Sequence, residues 1–193
     1  MARDLPVDQL ALGQRQWAEH HAGAEHLGVV TSVVRAQQLL LARLNALLAP
    51  FDLSFARYEA LSLLSFTRHG ALSLGTLGER LMVHPTSITS LIDGLEAQGL
   101  VARVPHPQDR RRTLAQLTDA GRACCREATQ ALVDARFGLE GLEPAEAEQV
   151  VRDLARVRHE LGDHVDPTPT SQAPGSPNGA PAAHEAPASD EAG

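Results

Sequence analysis

Residues 77–122 read LGERLMVHPTSITSLIDGLEAQGLVARVPHPQDRRRTLAQLTDAGR, and this stretch decides the fold. Just before and within it, Ser73 can cap a short helix whose apolar positions are Leu74, Leu77 and Leu81. Pro85 marks the start of a second helix, because its fixed φ suits the first helical position and its missing N–H would have no partner there. That helix carries Ile88, Leu91, Ile92 and Leu95 on one side, and Thr86, Ser87, Thr89, Ser90 and Asp93 on the others. Gly99 supplies a left-handed stop, and Leu100 supplies the apolar residue that a Schellman ending packs against Leu95. Residues 100–104 and 113–118 then read as short strands, joined by Pro105, His106, Pro107, Gln108, Asp109 and the run Arg110, Arg111, Arg112. Two short helices, a tight turn and a basic-tipped hairpin make a winged helix-turn-helix.

The residue types suit double-stranded DNA. Short hydroxyl side chains at a helix N-terminus let the backbone approach phosphates and base edges, and arginines on a hairpin suit the negative potential of a narrow groove. The expected contacts are His84, Pro85, Thr86, Ser87, Thr89 and Ser90 from the helix, and Asp109, Arg110, Arg111 and Arg112 from the wing, with Asp109 orienting an arginine.

Outward from this stretch the chain reads as helix. Leu27, Val30, Val34, Leu41, Leu44 and Leu48 recur on one face of a helix over residues 27–49, with Gln37 in the gap and Pro50 as the stop. Phe55, Tyr58, Leu61, Leu64 and Ser65 line a helix over residues 55–67. Thr118 can cap a helix over residues 119–138, and Val150, Leu154, Val157 and Leu161 form the stripe of another over residues 144–161. Residues 7–25 add an amphipathic segment with Leu10, Leu12, Ala18 and the chain's one tryptophan, Trp17. The expected fold is mainly α with a small β-wing. Its divisions are an N-terminal extension over 1–25, a winged-helix domain with long flanking helices over 26–163, and a tail over 164–193.

Composition agrees. Of 193 residues, 43% are hydrophobic but only 3% aromatic, so the core is built from Leu, Val, Ile and Ala rather than as an aromatic-rich sandwich. The net charge of −7 argues at first against a nucleic-acid partner. Yet Asp163, Asp166, Glu185, Asp190 and Glu191 carry −5 of it beyond residue 161, where there is no arginine or lysine, leaving −2 for the rest. All 17 basic residues are arginine. The tail holds Pro167, Pro169, Pro174, Pro177, Pro181 and Pro187 among Gly, Ser and Ala, and such a segment cannot bury enough surface to offset its chain entropy, so it is expected to be disordered.

No apolar run approaches the roughly 18 to 20 residues of a membrane span, and the N-terminus lacks the order of a signal peptide. Cys124 and Cys125 are adjacent and cannot staple distant segments, so a reducing cytoplasm is expected, with both thiols structural. No nucleophile with a base, metal triad or phosphate loop is legible, and Gly75 and Gly78 do not make one; neither an enzyme nor a cofactor is expected. His20, His21 and His26 with Glu19 and Glu25 could suggest a metal, but neighbouring histidines on a helix diverge and no cysteine joins them.

Four features in order resemble the multiple antibiotic resistance regulator (MarR) family. They are the V-x-P-[ST] start of the second helix, the L-x-x-x-G-L-V exit, the D-R-R wing and the L-T-x-x-G-R entry to the next helix. Departures are His84, where a small or hydroxyl residue is commoner, and Arg112, where Ser or Lys is. The resemblance extends over residues 27–162 and implies a homodimer, built by the long flanking helices, that holds two recognition helices roughly 34 Å apart on a palindromic operator. It implies a transcriptional regulator, as a repressor, released by a small anionic or aromatic ligand. An extra helix with a tryptophan resembles the subgroup that responds to urate and similar aromatic acids. By that resemblance Trp17, Arg35, Arg57 and Glu59 line the ligand pocket, with Arg43 also available; otherwise Trp17 only packs the extra helix down. The competing readings are a winged helix that binds proteins, which would favour apolar residues rather than hydroxyls on the face of residues 86–93, and a small hydrolase with an unrecognised site.

Overall fold

Several of the helices begin at side-chain caps, two of which, Ser73 and Thr118, the sequence announces. Asp8 accepts from the N–H groups of Leu10 and Ala11 at the start of α1 (Gln9–Ala18). Ser54 accepts from Arg57 N–H before α3 (Phe55–Ser65), Ser73 from Thr76 N–H before α4 (Leu74–Leu81), and Thr118 from Gly121 N–H before α6 (Asp119–Asp134). The N-terminal N–H groups of a helix have no internal partner, so each such side chain satisfies a donor that would otherwise need water. The computed structural model describes residues 8–67, 69–106 and 109–163, without the side chains of 109–112. The tail expected to be disordered lies outside the described residues.

The described residues fall into two compact units, one ending at Gly141 and the other beginning at Leu142. The first holds α1, α2 (Ala24–Leu48), a 3₁₀ turn at Ala49–Phe51, α3, β1 (Ala71–Ser73), α4, α5 (Pro85–Ala97), β2 (Val101–His106), β3 (Asp109–Leu117), α6 and a second 3₁₀ turn at Arg136–Gly138. The second holds α7 (Pro144–Glu160), whose first turn is closed by the Glu146 carboxylate accepting from Glu143 N–H at 2.9 Å.

Several boundaries differ from the sequence expectation, each for a local reason. The N-terminal segment is not helical through residue 25. It stops at Ala18, and Gly23, at φ 80°, restarts the chain as α2, which puts Glu19, His20 and His21 in a turn. Helix α3 ends at Ser65 because the hydroxyls of Ser65 and Thr67 donate to backbone carbonyls three residues back, at 2.7 Å each. Helix α6 ends at Asp134 rather than Gly138, where Arg136 and Phe137 adopt left-handed angles of 43° and 54° and turn the chain. Strand β1 was not legible at all. Its three residues pair with Leu114, Ala115 and Gln116 of β3, so the sheet runs β1-β3-β2 with every neighbour antiparallel.

The core joins α2 to the winged helix. Leu48, Leu61, Leu64, Leu77, Ile92, Leu95 and Leu132 are fully buried, with Ile88, Val101 and Leu117 beside them. Tyr58 Oη and Thr129 Oγ1 share a hydrogen bond of 3.1 Å between α3 and α6. The apolar face of α2 behaves differently along its length: Leu44 and Leu48 are buried, whereas Val30 and Val34 are 60% and 48% exposed.

The exit of α5 is the tightest point. Gly99 has φ 72°, Gly99 N–H donates to Glu96 O at 2.9 Å, and Leu100 N–H donates to Leu95 O at 3.0 Å, the two bonds of a Schellman motif. Thr118 N–H then donates to Leu100 O at 3.1 Å, and Gly121 lies so close that a Cβ there would stand 2.0 Å from the same oxygen. Two glycines are thus required for different reasons. Gly99→Ala meets open space and costs only the left-handed strain of about 1–2 kcal/mol. Gly121→Ala must displace backbone and is expected to cost about 3 kcal/mol or more. Urea unfolding of the two variants checks this ranking.

Candidate nucleic-acid interface

Helix α5 presents one side to the core and the other to solvent. Ile88, Ile92 and Leu95 are buried, while Thr86, Ser87, Thr89, Ser90 and Asp93 are all exposed. His84 is the N-cap: its Nδ1 accepts from Thr86 N–H at 3.3 Å, which requires a lone pair on that nitrogen. Thr89 Oγ1 donates to Pro85 O at 3.2 Å, anchoring one hydroxyl along the helix. Pro85, Thr86, Thr89, Ser90 and Asp93 together line an open concavity of about 520 Å³. The helix residues expected to contact DNA therefore share one solvent-facing end of α5.

The wing departs from its expected form. The strands were expected to end at Val104 and to resume at Thr113, with the arginines in the loop between. Instead pairing continues past Pro105, which is tolerated because β2 is an edge strand. Pro105 pairs with Thr113 and His106 with Asp109, so a single step along β2 faces the whole run Arg110, Arg111 and Arg112 on β3. The basic run is an irregularity within a strand rather than a loop tip. The side chains of Asp109, Arg110, Arg111 and Arg112 lie outside the described residues, as do residues 107 and 108, and with them the expected Asp109–Arg contact.

Two contacts that sequence reasoning missed hold α5 to its surroundings. Arg103 of β2 donates through Nη2 to Asp93 Oδ1 at 2.5 Å and through Nη1 to Glu96 Oε2, and its backbone N–H donates to Glu96 Oε1 at 3.2 Å. At the C-cap of the helix Gln98 Nε2 donates to Asp52 O and Oδ2 at 2.8 and 2.7 Å. Neither pair has a spacing that marks it in the sequence, since the chain must reverse at Gly99 and turn at Asp52, φ 53°, before the partners meet.

The four residues expected to bind a ligand are distributed as follows. Trp17 is 42% exposed, donates Nε1–H to Ala22 O at 3.1 Å and tilts over His21 at 4.5 Å between ring centroids, closing the turn between α1 and α2. Arg35 donates to Gln38 at 3.3 Å on the exposed side of α2. Arg57 lines a shallow cavity of about 320 Å³ with Asn45, Ala49, Asp52, Leu53 and Ser54, and its guanidinium lies where a side chain at Gly94 would go. Glu59 is exposed on α3, with its carboxyl raised above the usual range by partial desolvation. Trp17, Arg35 and Glu59 do not line the Arg57 cavity. Among the described residues no group of three His, Cys, Asp or Glu is placed to hold a metal ion. Burial raises the Cys125 thiol, with hydrogen bonds from Thr129 and Ser65 opposing it, and burial likewise raises Cys124. Both therefore favour the unreactive thiol form. No single described helix is long and apolar enough to cross a membrane.

A helix-turn-helix, α4 and α5, followed by an antiparallel hairpin and braced by α3 and α6, is a winged helix-turn-helix. Residues 53–113 match the profile of the MarR family. The chain is 42% identical to Sco5413, a MarR family transcriptional regulator from Streptomyces coelicolor, covering 75% of this chain and 100% of that one with a TM-score of 0.68. It is 30% identical over 126 residues to the transcriptional regulator PecS of Dickeya dadantii, 63% of this chain and 73% of that protein. Sco3205 of the same Streptomyces species, solved in complex with DNA, shares the fold at 23% identity with a TM-score of 0.66, over 75% of this chain and 92% of that one. Against the repressor MdtR of Bacillus subtilis the match is 39% identical over 59 residues, 31% of this chain and only 38% of MdtR's length. The chain belongs to the MarR family, whose members are transcriptional regulators rather than enzymes.

The cap geometry makes a direct prediction. Removing the His84 acceptor in His84→Ala is expected to cost about 0.5–1 kcal/mol, and His84→Ser to restore it, in urea unfolding at pH 8.

Proposed function

We propose that this chain is a sequence-specific DNA-binding transcriptional regulator, acting as a homodimeric repressor on an inverted-repeat operator. The observation that carries the reading is the two-sided character of α5. Its apolar side is locked into the core, while Pro85, Thr86, Thr89 and Ser90 line an open concavity free of bulky side chains. A rigid helix with short donors and acceptors at its exposed N-terminal end is what major-groove readout needs. The basic run of β3 supplies cations for phosphate. Within this reading His84, Pro85, Thr86, Ser87, Thr89 and Ser90 face the groove, and Asp109, Arg110, Arg111 and Arg112 form the wing contact.

The dimer reading rests on apolar surface. Val29, Val30, Val33 and Val34 of α2 are exposed in the single chain, as are Val150, Val151 and Leu154 of α7. Contiguous apolar faces of this kind mark protein contacts. A second copy using the same surfaces forms a closed two-fold pair, as an inverted repeat requires. A small anionic or aromatic ligand would release the repressor by favouring one dimer geometry over another, and the guanidinium of Arg57 at its shallow cavity supports an anionic one. The chain acts in the cytoplasm, with 26–163 as the working domain, 1–25 as an extension and 164–193 as a tail.

Two experiments test this. Sites are selected from a randomised duplex pool and affinity is measured across a salt series. Arg111→Ala is expected to weaken binding to all sequences about equally and to lower the salt slope by about one, whereas Thr86→Ala and Ser90→Ala relax preference at particular bases. Failure of the wild type to select any sequence returns the protein to the class of interaction modules. In sedimentation equilibrium the wild type is expected at twice the chain mass and Val34→Glu/Leu154→Glu at the chain mass; an unchanged dimer would place the interface elsewhere.

A further inference from the structure

Helix α5 has an electrostatic problem on its exposed side. Its sequence, PTSITSLIDGLEA, contains two carboxylates, Asp93 and Glu96, and no basic residue. Asp93 lines the same concavity as Thr86, Thr89 and Ser90. A bare carboxylate there would face the phosphates that flank a major groove, and like charges juxtaposed at an interface oppose binding.

Arg103 answers both carboxylates at once. Its side chain is only 27% exposed, and its fork places one nitrogen on each acid, Nη2 on Asp93 at 2.5 Å and Nη1 on Glu96. Its backbone N–H adds a third bond to Glu96 at 3.2 Å. The planar guanidinium can bridge two acceptors in this way, whereas an ammonium is a single point of charge. The hydrogen bond to Asp93, and after it the contacts with Glu96, hold the guanidinium proton more tightly than usual, with burial opposing them. Because Arg103 lies on β2 and pairs with Ala115 of β3, the same contacts tie the wing sheet to α5 across the front of the domain.

We propose that Arg103 is a positioning residue for DNA recognition: by bridging Asp93 and Glu96 it cancels negative charge on the DNA-facing helix and fixes the wing against that helix, without contacting DNA itself. The inference rests on the DNA-binding reading above and adds a residue to it.

The test is a mutant cycle on the full chain, with the DNA site selected by the wild type. Arg103→Gln is expected to weaken binding by roughly tenfold or more, and Arg103→Lys by an intermediate amount. In the Asp93→Asn/Glu96→Gln background, adding Arg103→Gln is expected to change affinity by less than about twofold and to leave the salt slope unaltered. An equal loss in both backgrounds, with the slope lower by about one, makes Arg103 a phosphate contact and overturns the proposal. Hydrogen exchange without DNA separates the clasp from the DNA reading. Amides of β2 and β3 should exchange faster in Arg103→Gln and Arg103→Lys than in the wild type, with those of α6 unchanged; unaltered exchange in β2 and β3 overturns the clasp whether or not DNA binds. A wild type that selects no sequence overturns the DNA-recognition role, while the exchange result still decides the clasp.

Discussion

The structure turns on the backbone of Leu100. Its N–H completes the stop of α5 at Leu95 O, and its C=O accepts from the backbone and the hydroxyl of Thr118, both at 3.1 Å. Thr118 in turn begins α6, whose Gly121 must lack a side chain to lie against the same oxygen. The end of α5, the start of β2, the end of β3 and the start of α6 therefore meet at the backbone of one half-buried residue. Leaving such a group unpaired costs about 1–3 kcal/mol. The angle between α5 and the hairpin is accordingly a consequence of backbone hydrogen bonding, with side-chain packing of Leu95, Val101 and Leu117 filling the space behind it.

On this rigid corner, charge is arranged by contact rather than by total. The chain is acidic overall, at −7, yet the face beside α5 is kept usable because Arg103 engages its two carboxylates. The pairing of Arg43 with Glu140 at 2.9 Å is different in kind. Both its side chains are about half exposed, and such a surface pair contributes little to stability. Position and shared hydrogen bonds, more than the number of ion pairs, decide which of these contacts shapes the interface.

The long helices follow another logic. Leu44 and Leu48 anchor the C-terminal end of α2 in the core, but Val30 and Val34 towards its other end are left exposed by the described residues. The apolar stripe read from the sequence is thus one helical face with two destinations. The extension beside it is also less buried than its amphipathic pattern suggested: α1 has no fully buried residue, and Trp17 spends its indole N–H on the turn at Ala22.

What the sequence by itself determined is everything governed by interactions within a few residues. Caps at Ser73 and Thr118, the proline start of α5, the Gly99 stop and the apolar side of α5 at Ile88, Ile92 and Leu95 are local, and each stands in the structure where its pattern placed it. The winged-helix fold and its candidate DNA face at residues 84–90 were legible for that reason. Only the tertiary structure decided the rest. Strand β1 is three residues of no distinctive pattern that exist as a strand because β3 offers them partners. The basic run became part of β3 because pairing continued past Pro105. The Arg103 clasp and the Gln98–Asp52 contact join residues brought together by the chain reversals at Gly99 and Asp52. Hydrogen bonds between segments depend on where the backbone has been carried, and periodicity along one segment holds no record of that.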